Sequence, residues 1–342
     1  MRGIVFDGNK TIEERIFQDP SPGPNQVVIQ MKSSGLCGSD LKPYRTSKLE
    51  LGKRAEIICG HEPCGQVVAI GENVTNVKTD DRIIVHHYSG CRICKYCLSG
   101  WTQLCQSDKQ RVYGFNAHGA NADYQLIEDY MCVPMPDALS YEEGAAIACG
   151  TGTAFQALRR LNLSGKDVIA IFGQGPVGLS ATFLGSHMGA RILAVDPIPE
   201  RRKLAIDLGA WATVDPVKYD SVNQIMELTS GQGADCTLDA TGIGSVRAEA
   251  IRSTKIWGRA CLVGEGGDLN LQPSPDIIHR QINLYGSWTF STLILKELSE
   301  WVVNRELPLS NIITHRYSLD DVSKAFEIFN QGKTGKAVIN WN

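Results

Sequence analysis

The chain has 342 residues, 43% of them hydrophobic and 21% charged, an ordinary balance for a globular protein with a proper core, and the length allows two domains. Its formal net charge is −3, which gives no electrostatic basis for binding DNA, RNA or acidic membranes. No run approaches the ~18 consecutive apolar residues of a membrane span, and Asp7, Lys10, Glu13 and Glu14 stand where a secretory signal would need an apolar stretch.

A reducing, cytoplasmic setting is therefore expected, in which paired disulfides are a poor use for eleven cysteines. Up to about Leu139, short β-runs ("VVIQMK", "GQVVAIG", "DRIIVHH") alternate with turns such as "PSPGPN", the pattern of an all-β region. Three stretches in and just after it carry chemistry-bearing residues: "SSGLCGSDLKPY" with Cys37, Ser39, Asp40 and Lys42, "CGHEPCG" with His61 and Glu62, and "AAIACGTGTAF" with Cys149. Taken singly they say little. A cysteine in the apolar run Ala145–Cys149 is as a rule a small core residue, and a histidine beside a glutamate is often a surface pair.

The stretch "CRICKYCLSGWTQLC", residues 91 to 105, says more. Cys91, Cys94, Cys97 and Cys105 follow C-x2-C-x2-C-x7-C; each two-residue step turns the chain enough to aim both sulfurs at one ion, and thiolates favour zinc or an iron–sulfur cluster. A three-residue last gap followed by proline would favour the cluster. Here the gap is seven and the next residue is Gln106, so zinc is the reading, against metal-free buried or redox-active thiols. Four protein ligands leave no open position, which makes such a site structural.

Further on, "DVIAIFGQGPVGLSATFLGSHMGARILAVD" reads as strand, glycine turn, helix, strand. Gly173, Gly175 and Gly178 satisfy G-x-G-x-x-G between the apolar run Val168–Phe172 and a helical pattern, and Asp196 closes the next strand eighteen residues after Gly178. The first glycine permits the tight turn, the second lets the backbone approach pyrophosphate, and the third lets helix and sheet pack. Unpaired N–H groups at the helix start, with Pro176 and Val177 in its first turn, would meet the anion. Asp196 can accept both ribose hydroxyls and would repel a 2′-phosphate, so NAD is expected over NADP; Arg201 and Arg202 stand close enough to complicate this, and a solvated helix start is the plainer reading of them. Apolar runs near Ala212–Val214, Cys236–Leu238, Ala260–Val263 and Ile282–Gly286 continue the alternation of a parallel sheet with helices on both faces.

In this order the motifs "GLCGSD", "GHEPCGQVVAIGENV", the cysteine loop, "FGQGPVG" and "ITHRYSLDDVSKAFE" resemble the zinc-dependent medium-chain dehydrogenases, the family of alcohol, polyol and threonine dehydrogenases; the resemblance runs from about Lys32 to the C-terminus. It implies an α/β protein: a GroES-like β-barrel catalytic domain formed by residues 1–139 and 290–342, and a doubly wound Rossmann domain over 140–289, with the site in the interdomain cleft. It implies two zinc ions per chain and NAD. Cys37, His61 and Cys149 are the implied ligands of a catalytic zinc with Glu62 as a neighbouring or occasional ligand, and three protein ligands leave a position for water or an alcohol oxygen. Asp40 would fix the ring of His61, or else cap a helix. Thr153 is implied behind the nicotinamide and Lys336 near the pyrophosphate, the latter being equally readable as a surface lysine.

Ser39 sits where the family hands the hydroxyl proton on, and a hydroxyl can donate and accept at once. Family members often end this relay with a histidine where Lys42 stands. Lysine is a poor acceptor near its ordinary pKa of ~10.4, and nearby zinc and desolvation would depress it; Lys42 is expected to order the relay or bind ribose or phosphate. Tyr44, Arg45, Phe115, Trp288 and Thr289 are candidates to line the pocket. The implied activity is interconversion of a secondary alcohol, on a polyol, sugar alcohol or related small molecule, and its ketone, by a homodimer or homotetramer. The alternatives are a threonine, amino-alcohol or primary-alcohol substrate, a branch without catalytic zinc, against which Cys37, His61 and Cys149 together argue, and a zinc-ribbon binding module, which should be basic where this chain is mildly acidic.

Overall fold

The computed structural model describes residues 1–341. The chain forms two compact units: residues 1–152 with 290–331 and 336–341, and residues 153–289 with 332–335.

The first unit is built on a sheet whose strands run, edge to edge, Ile313–Ser318, Lys336–Asn340, Gln26–Gly35, Pro63–Ile70, Arg82–Val85 and Cys132–Pro134, with Tyr124–Glu128 also paired to Gln26–Gly35. The runs "VVIQMK", "GQVVAIG" and "DRIIVHH" all fall on these strands. Gln26–Gly35 is the hub. It pairs antiparallel with Pro63–Ile70, register Ser34↔Pro63, and with the C-terminal strand, register Val338↔Gly35. That second pairing draws residue 336 beside the ends of two N-terminal strands. On one side Phe6, Tyr44 and Phe326 form an aromatic core, with Phe6 and Phe326 edge to face at 5.3 Å, a geometry worth about 0.5–1.5 kcal/mol beyond its buried area.

The second unit carries six strands, Val168–Phe172, Arg191–Val195, Ala212–Val214, Ala234–Asp239, Thr254–Leu262 and Asn283–Gly286, all paired in parallel. Numbered along the chain, their spatial order is third, second, first, fourth, fifth, sixth, so the order reverses at Val168–Phe172, where such sheets bind ligands at their carboxyl ends. The helix Pro176–His187 that follows is buried along Leu179, Ala181, Phe183 and Leu184, as a helix covering a sheet face must be.

The boundary differs from the sequence expectation. Residues 140–152, assigned to the nucleotide domain, belong to the first unit. Tyr141–Ala146 starts with a capping box between Ser140 and Glu143, and Glu142 accepts from Arg316 and Asn340 of the same unit. Residues 332–335 of the tail lie in the second unit.

Candidate functional site

Two clusters of metal-ligating side chains lie in the first unit. In each, the ligand atoms of the four members all lie within 4.8 Å of one another: Cys37, His61, Glu62 and Cys149, all buried, and Cys91, Cys94, Cys97 and Cys105.

The buried cluster is assembled at element ends. Cys37 follows the hub strand and precedes the short turn Gly38–Asp40. Asp40 uses both oxygens there: Oδ2 accepts the Cys37 N–H at 3.0 Å and Oδ1 accepts His61 Nδ1–H at 2.9 Å. Asp40 thus fixes the ring of His61; as the residue before Leu41–Arg45 its side chain makes no N-cap bond, and its second oxygen instead serves the Cys37 N–H as the third residue of a capping box. His61 and Glu62 come immediately before Pro63–Ile70. Cys149 lies in a π-helical turn, Ile147–Thr151, a departure from α-geometry that recurs at functional sites. The Cys37 and Cys149 sulfurs are 4.0 Å apart, close to the ~3.8 Å edge of a tetrahedron with zinc–sulfur bonds near 2.3 Å.

The electrostatics suit a cation. The hydrogen bond from Cys149, with His61 and Lys336 nearby, holds the Cys37 thiol well below its ordinary range against burial, and the same bond and burial push Cys149 up. Burial opposes a charged His61, yet the charge and hydrogen bond of Asp40, with Cys37 beside it, hold the ring well above its ordinary value. Burial pushes the Glu62 carboxyl up, although Lys336 pulls the other way. Glu62 Oε2 accepts from Lys336 Nζ, while Oε1 is buried with no hydrogen-bond partner. An orphaned buried oxygen beside two sulfurs and an imidazole nitrogen whose neighbour is the Ser39 hydroxyl is the polar group that a bound cation would satisfy. A side chain at Gly35 would collide with Glu62 Oε2 and Lys336 Cε, so only glycine lets this pair close beneath the cluster.

The cysteine loop fits zinc as well. Sγ of Cys94 and Cys97 are 3.5 Å apart and those of Cys91 and Cys97 4.0 Å. Backbone N–H groups of Cys91 and Cys97 point at Cys105 and Cys94 sulfurs, and every cysteine is free of disulfides. Hydrogen bonds from the Ile93 and Cys94 backbone lower the Cys91 thiol to about 6, while burial lifts Cys97 to about 12.

In the second unit Gly173 adopts φ +87° and opens the turn after Val168–Phe172. Pro176 is the first residue of the following helix, and Gly175, its N-cap, offers no side chain to the first N–H groups. Asp196 accepts the Gln174 N–H at 2.7 Å and the Ile198 N–H at 2.8 Å. Thr153 is buried in this unit.

Two family models match the chain. The alcohol dehydrogenase GroES-like domain matches residues 23–137, and the zinc-binding dehydrogenase domain residues 176–304. Over its whole length the chain is 40% identical to the uncharacterized zinc-type alcohol dehydrogenase-like protein YphC of Escherichia coli K12, covering 99% of it. The chain belongs to the zinc-dependent medium-chain dehydrogenase/reductase family. Within that family it is 30% identical to the L-threonine 3-dehydrogenase of Shewanella woodyi, over 94% of each chain. It also superposes on the 2R,3R-butanediol dehydrogenase of Bacillus subtilis with a TM-score of 0.85 at 28% identity, covering 100% of this chain and 99% of the other. The GroES-like and Rossmann folds expected from the motifs are those the chain adopts.

Several site expectations change. Lys336 is neither a surface lysine nor free for pyrophosphate: it is 2% exposed and its ammonium is bound by Glu62 and the Leu36 carbonyl. Lys42 is exposed on the helix Leu41–Arg45. Tyr44 is buried against Phe6 and Phe326, and Arg45 donates to Asn330; neither faces the cluster. Trp288 and Thr289 belong to the second unit and remain candidates. Arg202 is structural, bridging the Asp196 carbonyl and Asp215, whereas Arg201 is largely buried 3.9 Å from Asp196 Oδ2, with an unpartnered Nε, and is no solvated helix start. Phe115 does lie at the site, its ring 5.0 Å from His61, and Ser39 Oγ is 3.2 Å from His61 Nε2.

Two residues at the site escaped the sequence reading. His87 is buried with its ring 5.0 Å from His61 and an unpartnered Nδ1; a paired histidine at the end of a strand was its only signal. Arg54, stacked on Phe115, had none.

Proposed function

We propose that the chain is an NAD-linked oxidoreductase that interconverts a secondary alcohol on a small molecule and its ketone, with two zinc ions per chain. The observation that carries the reading is the buried cluster of two thiols, an imidazole and an unpartnered carboxylate oxygen within 4.8 Å of one another. Cys37, His61 and Cys149 would hold the catalytic zinc and leave one position for the alcohol oxygen, with Glu62 as a neighbouring donor that can give way to it, and Cys91, Cys94, Cys97 and Cys105 would hold the structural one. When bound, a zinc of the first kind supplies Lewis acidity that lowers the pKa of an alcohol hydroxyl.

The chain's own residues do the rest. Asp40 fixes the tautomer and angle of His61. Ser39, half-buried beside His61 Nε2, is the hydroxyl suited to take up the substrate proton and pass it on. Exposed Lys42 is a group for ribose or phosphate rather than a terminal base. Gly173, Gly175, Pro176, Val177 and Gly178 would receive the pyrophosphate on backbone N–H groups, Thr153 would back the nicotinamide, and Asp196 would accept from the ribose. Arg201, beside the carboxylate, is the residue on which tolerance of a 2′-phosphate would depend.

The butanediol and threonine dehydrogenases both carry secondary alcohols in their names, which supports that class over primary alcohols. An assembly of two or four copies in the cytoplasm completes the reading. A metal count together with a panel of secondary alcohols, scored for NADH formation, tests it. Two zinc ions per chain and turnover with NAD are expected. One zinc, confined to the cysteine loop, would overturn it.

A further inference from the structure

Arg54 lies in the turn Gly52–Glu56, seven residues before His61. Its guanidinium lies over the Phe115 ring, Cζ 4.5 Å from the ring centre, and that ring is 5.0 Å from His61. The two steps put a cation within the length of a substrate of a few carbon atoms from the donor cluster. Stacking occupies one face of the guanidinium and leaves its edge. Along that edge Nε and Nη2 are both buried, and neither has a hydrogen-bond partner. Asp40 is the carboxylate that acts on Arg54, but both its oxygens are engaged by His61 and the Cys37 N–H, and burial keeps the nearby Cys59 a neutral thiol. No other arginine among the described residues leaves this pair of donors buried and unpartnered together.

Uncompensated buried charge is costly to a fold and is retained where something else completes it. Nε–H and Nη2–H are the parallel pair that grips two oxygens of one carboxylate or phosphate side-on, a geometry lysine does not offer. We propose that Arg54, held flat by Phe115 beside the buried donor cluster, is the recognition site for an anionic group, a carboxylate or a phosphate, carried by the hydroxy substrate. This rests on the dehydrogenase reading for the reaction and adds the substrate class: a hydroxy acid or a polyol phosphate rather than a neutral polyol.

Matched pairs test it on the zinc-loaded enzyme with NAD: 3-hydroxybutyrate against 1,3-butanediol for the carboxylate, and glycerol 1-phosphate against glycerol for the phosphate. In at least one pair the anionic member is expected to have a kcat/KM about tenfold or more above its neutral partner, and the pair that does so says which anion is read. Arg54→Met should lower that ratio by about 10- to 100-fold, chiefly through KM, and Arg54→Lys should keep part of it, as a point charge without the fork. A ratio that stays the same in Arg54→Met overturns the proposal.

A readout without turnover separates recognition from folding. Inorganic phosphate or acetate should raise the melting temperature of the wild type and not of Arg54→Met, and the unliganded variant should be at least as heat-stable as the wild type, because an uncompensated charge has been removed. A variant that melts lower with an unchanged substrate ratio makes Arg54 a structural residue and sinks the proposal. Should no alcohol reduce NAD while phosphate or acetate still protects only the wild type, the anion site stands and the dehydrogenase reading falls.

Discussion

The two cysteine-bearing clusters of the first unit are built on opposite plans. The loop 91–105 gathers one kind of donor from fifteen consecutive residues, three of its sulfurs lie on half-buried residues, and backbone N–H groups already point at them. The other cluster takes three kinds of donor from three separate segments, buries all of them, and sets a buried lysine against one. A closed set of like ligands close in sequence can do little except hold the chain together. A mixed set with an orphaned carboxylate oxygen and a positioned hydroxyl beside it has chemistry left over.

The sharpest way to break this contrast is to remove one donor from each. His61→Ala should lower kcat/KM on the order of a thousandfold and leave one zinc per chain in protein that still folds, so that the activity lost far exceeds the folded fraction lost. Cys97→Ser should remove the other zinc and act on stability, costing several kcal/mol and roughly 10 °C in melting temperature, with residual activity tracking the folded fraction. If the two variants lose activity and stability in the same proportion, the division into a working and a stapling cluster is wrong.

The Lys336–Glu62 pair belongs to the buried cluster alone. Lys336→Met leaves a carboxylate buried without its cation and should destabilise the protein by about 3–5 kcal/mol, whereas adding Glu62→Gln should recover most of that loss. Chemical unfolding of the two variants measures the difference. Equal stabilities would mean that the pair is not coupled.

The smallest effect is one of reactivity. In chelator-treated protein, Cys91, lowered to about 6 by the Ile93 and Cys94 N–H groups, should be the first thiol alkylated by iodoacetamide at neutral pH. Because the thiolate is the nucleophile, its labelling should fall as pH drops through about 6. Cys97, lifted to about 12 by burial, stays a thiol across that range and should label slowly. Peptide mass mapping reads both, and preferential labelling of the buried Cys149 would reverse the comparison.

The loop and the glycine turn were legible because each is a local device: four sulfurs within one loop, and a strand, a tight turn and a helix start in consecutive residues. The members of the buried cluster could be named only through the order of motifs along the chain, since Cys37 and Cys149 are 112 positions apart. Lys336 was misread for the same reason. In the sequence it is one lysine among many near the C-terminus; in the fold the pairing of Lys336–Asn340 with the hub strand carries it 274 positions back to Glu62. Tyr44 shows the converse, an aromatic near the motif residues that the packing of Phe6 and Phe326 turns into the core.

The sequence by itself determined that an all-β region precedes a parallel sheet with its glycine turn, and that four cysteines share one loop, because periodicity, turn chemistry and ligand spacing act over a few residues. Tertiary structure alone decided that Asp40 serves two neighbours, that Glu62 has one oxygen paired and one bare, and that Arg54 lies flat on Phe115 with its donor edge unused. Burial and partnership are properties of the space around a side chain, and that space is filled by residues that the chain brings in from far along its length.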